Sequence, residues 1–161
     1  MTALPTDYGN GALGLIVGSQ HDSSPFGGAT IFYDGRTDPD GVVGAPPGHI
    51  HFNIGDSSGG GHATHTLTQV PMNQWVLITA VATASNPFQI YYNGVLQPSG
   101  TTEPTWNGTV EYTDSWFAIG QEVDENRPFL GLIDDVQVYK TALTQSQIQA
   151  YLNAGAAGMC Q

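Results

Sequence analysis

The chain has 161 residues, a length that suits one domain around one core. Charged residues make up only 11% of it and the net charge is -11, with Arg36, Arg127 and Lys140 as the fixed cations. No phosphate-tracking surface can be built from so few, which excludes nucleic acid as a partner. No run approaches the roughly 18 apolar residues that a membrane span requires, so no membrane insertion is expected. The first residues carry no secretion signal, and a lone cysteine, Cys160, allows no internal disulfide.

Taken in chain order, short runs rich in β-branched and aromatic residues recur between Gly, Pro, Asn and Asp. They cover residues 12–18, 29–33, 49–54, 64–70, 75–83, 88–92, 109–112, 116–119 and 129–139. Regular spacing of this kind predicts an all-β antiparallel sandwich or barrel. In His49-Ile50-His51-Phe52-Asn53-Ile54 the apolar residues share one face and His49, His51 and Asn53 share the other. A period of two means strand. The same alternation in residues 133–139 sets Ile133, Asp135, Gln137 and Tyr139 against Asp134, Val136 and Val138. Between two apolar runs, Asn93-Gly94 predicts a type I′ hairpin, because both central residues need positive φ.

One helix is expected, near the C-terminus. Thr144 is its N-cap, Gln147 closes a capping box, and Leu143 with Ile148 has hydrophobic-staple spacing. Ile148, Tyr151 and Leu152 form an apolar stripe, and Gly155 supplies the stop.

Several segments then match a known pattern. The stretch Phe129-Leu130-Gly131-Leu132-Ile133-Asp134-Asp135-Val136-Gln137-Val138-Tyr139, followed by Ala142-Leu143 and the helix, resembles the closing strand of laminin-G-like jelly-roll domains. Gln74-Trp75-Val76-Leu77-Ile78 resembles that family's Trp-bearing strand, Ile90-Tyr91-Tyr92-Asn93-Gly94-Val95 its hairpin, and Phe117-Ala118-Ile119-Gly120 its penultimate strand. The resemblance implies one concanavalin A-like domain over residues 1–161. It would be a two-sheet antiparallel jelly-roll sandwich with one short C-terminal helix, of binding function, often for carbohydrate and often with Ca²⁺. The family usually begins with a further pair of strands, whereas residues 11–19 here match the strand after those. The resulting uncovered sheet edge would invite pairing with a second copy, a homo-oligomer.

Candidate sites follow from both lines of reasoning. The resemblance implies a structural Ca²⁺ at Asp134. The Gly-bearing loop holding Asp34, Asp38 and Asp40 offers oxygen ligands for the same ion, although Asp-Gly and Asp-Pro pairs equally describe a polar turn. His49, His51, His62 and His65 fall within 17 residues. They make either a polar strand face with rings that touch a sugar or, ranked lower, a Zn²⁺- or Ni²⁺-type site. Trp106 in its polar loop offers a ring to stack on a sugar, with Asn107 to bond hydroxyls.

Enzyme signatures are weak. Glu122-Val123-Asp124-Glu125 only approaches the Glu-x-Asp-x-x-Glu pattern of hydrolases on this scaffold, so no catalytic residues are assigned. The expected function is a non-catalytic, lectin-like module, extracellular or surface-associated, binding a glycan or polysaccharide. The rival reading is an assembly or protein-interaction module of a surface adhesin or phage particle.

Overall fold

The computed structural model describes residues 13–21, 27–56, 61–83, 86–101, 108–110, 116–122 and 127–158. Among these residues nine strands form two antiparallel sheets: β1 (Leu13–His21), β2 (Gly27–Asp34), β3 (His49–Gly55), β4 (Gly61–Thr66), β5 (Ile78–Thr83), β6 (Asn86–Tyr92), β7 (Val95–Leu96), β8 (Ser99–Thr101) and β9 (Trp116–Ile119). The larger sheet runs β8-β4-β3-β2-β1-β9 and the smaller β5-β6-β7. One α-helix, α1 (Gln145–Gly158), follows among the described residues, broken at Gly155, where φ is 54°. Two antiparallel sheets are what the spaced runs predict, and they are consistent with the jelly-roll sandwich that the resemblance implies.

The alternation decides which face each residue covers. From β3, Ile50, Phe52 and Ile54 point between the sheets and meet Tyr33 of β2 and Phe88, Ile90 and Tyr92 of β6. Each such side chain, fully buried, contributes roughly 1.5–3 kcal/mol. Tyr91, on the opposite face of β6, packs with Val81 and with Ile148 of α1, and Leu77 and Leu143 border them. The helix is therefore a third layer on the back of the small sheet. Its capping box forms as expected, with Thr144 N–H donating to Gln147 Oε1 (2.8 Å) and Gln147 N–H to Thr144 Oγ1 (3.3 Å).

The Asn93-Gly94 turn has positive φ at both residues, 48° and 73°. Gly94 is also closely covered: a Cβ there would lie 2.8 Å from Gln149 Cγ. Its carbonyl accepts hydrogen bonds from the Gln145 and Gln149 side chains, which tie the helix to the hairpin.

Residues 129–139 depart from expectation. Among the described residues they form no strand; Pro128 bridges to Leu15, Phe129 N–H bonds the Gly120 carbonyl (2.7 Å), and Leu132 and Val138 are 79% and 76% exposed. The cause is local. Asp135 has φ 53°, and its N–H is taken by Asp134 Oδ1 (2.9 Å). A left-handed residue breaks the pleat midway through the run and ends the two-residue alternation there. The strand expected over 75–83 begins only at Ile78, leaving Trp75 outside it, and that expected over 64–70 is shifted to Gly61–Thr66.

Candidate functional site

The second face of the large sheet carries the polar residues of β2, β3 and β4. Register sets Asp34 opposite His49, Phe32 opposite His51, and His51 opposite His65. Asp34, His49, His51 and His65 therefore lie side by side on one face, and all four are buried.

The cover is the loop 35–48. It closes on itself through Asp38 N–H to the Ala45 carbonyl (3.1 Å) and Gly44 N–H to Asp38 Oδ1 (2.6 Å). Gly48 N–H bonds the Asp34 carbonyl (2.7 Å), so both ends of the loop meet at the sheet. Val42 presses on Gly100 of β8, the residue paired with His65, where any Cβ would come within 2.4 Å of Val42 Cγ1. Only glycine at position 100 lets the loop lie this close.

Inside, Arg36 grips Asp34 with Nε (3.0 Å to Oδ1) and Nη2 (2.7 Å to Oδ2) and reaches Asp40 Oδ2 at 3.2 Å. Burial works against the guanidinium charge, but hydrogen bonds and attraction from Asp34 outweigh it, and the Arg36 pKa is raised. The imidazoles go the other way. Burial, then repulsion from His49, lowers His65 to about 4. Burial, with repulsion from His65 and Arg36, holds His51 well below the usual range, and burial also lowers His49 against the pull of Asp34. Lowered in this way, all three rings favour the neutral form at pH 7.

Neutral rings have definite tautomers. His49 Nδ1 faces the Pro46 carbonyl at 2.8 Å and must donate to it, so His49 Nε2 is an acceptor. His65 Nδ1, 3.0 Å away, donates to it. That leaves His65 Nε2 with a bare lone pair, buried without a hydrogen bond and 3.4 Å from Asp40 Oδ2. Both nitrogens of His51 are buried without hydrogen bonds as well, Nδ1 lying 3.7 Å from Asp34 Oδ2. One donor atom each from Asp34, His51 and His65 lie within 4.8 Å of one another, the geometry of a possible Asp/His/His metal-binding site.

The other expected residues are scattered. His62 is buried with Nε2 bonded to Asp56 (2.8 Å), outside that cluster. Asp38 serves as an anchor within the loop. Trp106 and Asn107 lie outside the described residues. Asp134 is exposed and bonds the next backbone N–H. Ca²⁺ requires six to eight oxygens. Asp34 and Asp40 are shared with Arg36 and surrounded by nitrogen donors, and Asp134 joins no converging group of three or more His, Cys, Asp or Glu side chains among the described residues. The cluster of Asp34, His51 and His65, with its nitrogen donors, does not fit Ca²⁺. The enzyme near-miss is tied up in part: Glu122 pairs with Arg127 Nη1 at 3.0 Å.

The sequence pattern sets Asp34 in an acidic loop and does not join it to the histidines. A signal was present. Thr30, Phe32 and Asp34 continue one alternating face, so extending the run by one residue puts Asp34 on the strand.

Residues 20–149 match the family model of the concanavalin A-like lectin/glucanases superfamily, of laminin-G type. That covers most of the chain, and the protein belongs to this family. No curated protein and no solved structure matches the chain. No helix among the described residues is long and apolar enough to cross a membrane. Membership in this superfamily supports a carbohydrate-binding or structural module in general.

Proposed function

We propose that this domain is a non-catalytic glycan-binding module acting outside the cell or at its surface. The observation that supports it is the exposure of two indole rings, Trp75 at 65% and Trp116 at 62%. Tryptophan is highly buried on average, and an exposed one on a weakly charged surface suits stacking on the apolar face of a sugar ring. Trp116 stands on edge strand β9, opposite Gln20 of β1 and two residues from Ala118, which borders the buried patch of Leu13, Leu15 and Phe32. The buried histidines offer no such face, so the sugar contact is assigned to tryptophan, with Trp106 as a third candidate from its sequence context. Because shallow sites bind weakly, display of several copies would raise the avidity.

A second reading is favoured by the exposed Leu130, Leu132, Val138, Phe117 and Ile119, which would suit a contact with another protein chain. One experiment separates the two. A glycan array and affinity electrophoresis on neutral and acidic polysaccharides are run beside light scattering of the purified protein. Retardation that Trp116→Ala or Trp75→Ala weakens about tenfold or more, with the circular dichroism unchanged, supports the lectin reading. No glycan signal together with a stable oligomer supports assembly instead.

A further inference from the structure

We infer that Asp34, His51 and His65, with Asp40 supplied by the covering loop, form a binding site for a nitrogen-preferring divalent ion of the Zn²⁺ class. This is separate from the glycan reading, which stands or falls on other residues.

The argument begins with the unsatisfied atoms. Buried polar atoms are nearly always hydrogen-bonded, since leaving one bare costs ~1–3 kcal/mol. Here three ring nitrogens on two adjacent histidines are bare together, both nitrogens of His51 and Nε2 of His65. Deprotonated ring nitrogens are lone-pair donors. The bare lone pair of His65 Nε2 sits 3.4 Å from an oxygen of Asp40, two acceptors facing each other with no proton between. A cation there turns that repulsion into two bonds.

Spacing points the same way. Around a tetrahedral Zn²⁺ with ligands at ~2.0–2.1 Å, donor atoms stand roughly 3.4 Å apart. The pairs Asp34 Oδ2–His51 Nδ1 and His65 Nε2–Asp40 Oδ2 measure 3.7 and 3.4 Å. One ligand atom each of Asp34, His51 and His65 lie within 4.8 Å of one another, wider than that separation, so an ion would have to draw the side chains in.

The surroundings resemble what metal-ligating histidines need. With Nε2 facing the ion, His65 keeps its Nδ1–H bond to His49, which is itself anchored on the Pro46 carbonyl. Such outer partners hold a ligand's tautomer and orientation. His49 is thus a positioning residue. The charges also suit a dication: two carboxylates, Asp34 and Asp40, against one guanidinium, Arg36, leave a net charge of -1 beside neutral imidazoles. With two nitrogens among four donors, the set selects Zn²⁺, Ni²⁺ or Co²⁺ over Ca²⁺ or Mg²⁺. Since Asp40 belongs to the loop and the other three to the sheet, the ion would fasten the loop to the strands.

The test uses the whole chain, untagged and stripped with a chelator. Zn²⁺ is titrated in competition with a chromophoric chelator, Co²⁺ is added to read tetrahedral d–d absorption, and crystals soaked in Zn²⁺ are examined at its absorption edge. The expected result is one tight equivalent, a tetrahedral Co²⁺ spectrum and an anomalous peak between Asp34, His51 and His65. His65→Gln and Asp34→Asn should weaken binding by at least about 100-fold, and His49→Gln by about tenfold to 100-fold. The inference is overturned if the unaltered protein takes up no stoichiometric ion. A peak at other residues, or affinity unchanged in folded His65→Gln, overturns it equally. The spectrum and the anomalous peak need no variant, so a substitution that fails to fold does not shield the proposal.

Discussion

His65 illustrates how burial decides chemistry at a single residue. In the metal-free protein it stays neutral in the folded state down to about pH 4, because burial and then His49 disfavour its charge. Once unfolded it titrates near 6.5. Between those values the unfolded chain binds more protons than the folded one, so stability falls as pH drops from about 6.5 to about 4 and levels off below. His51, lowered well below its usual range by burial, adds to the same slope. Melting temperature followed from pH 7 to pH 4 in chelator should therefore decline, each kcal/mol being worth roughly 2–4 °C in a chain this size. Replacing His65 by Gln should flatten the decline. An equally steep curve for folded His65→Gln would show that other groups drive it. Added Zn²⁺ should raise the plateau at neutral pH and steepen the fall, since protons and the ion compete for the same lone pairs.

At the scale of elements, the hairpin and helix form one unit. Gly94 sits at φ 73° with Gln149 directly above it, and its carbonyl takes two helix side chains. Gly94→Ala should cost about 1–2 kcal/mol, read as a lower denaturant midpoint with an unchanged slope, from the strained φ and the displaced Gln149. No change in the midpoint would mean that the helix is free to lift away. Much at this scale was legible in sequence. β1, β2, β3 and β6 follow the alternating runs closely, and the Asn-Gly turn and the Thr144/Gln147 box form where local chemistry requires them. What was not legible depends on distant partners. The alternation in 133–139 is as regular as that in β3, yet the left-handed Asp135 interrupts it, and no sheet edge pairs with it among the described residues. The site was half legible. Four clustered histidines announced themselves, but three of them meet Asp34 only through strand register, while His62 points elsewhere to Asp56. Register is a property of paired strands, and one strand's sequence does not state it.

At the scale of the whole molecule, the domain is layered: loop 35–48 over the large sheet, the small sheet beneath it, and α1 at the back. Apolar side chains hold the inner layers together, whereas polar and charged groups hold the outermost loop. That division implies that the loop can open without the sandwich unfolding, since it rests on few buried apolar contacts (Val42 and Ala45 being the clearest) and on the Arg36 pairs.

The grip of Arg36 on Asp34 and Asp40 has a consequence for proteolysis. With only Arg36, Arg127 and Lys140 in the chain, trypsin has three places to cut, and Pro128 blocks the bond after Arg127. Lys140 lies on an exposed stretch and should be nicked first, whereas the bond after Arg36 becomes a substrate only when its guanidinium lets go. A digestion time course would then report loop opening as the ratio of two fragments. Zn²⁺ should slow the Arg36 cut and leave the Lys140 cut alone; equal slowing of both would place the effect on the protease.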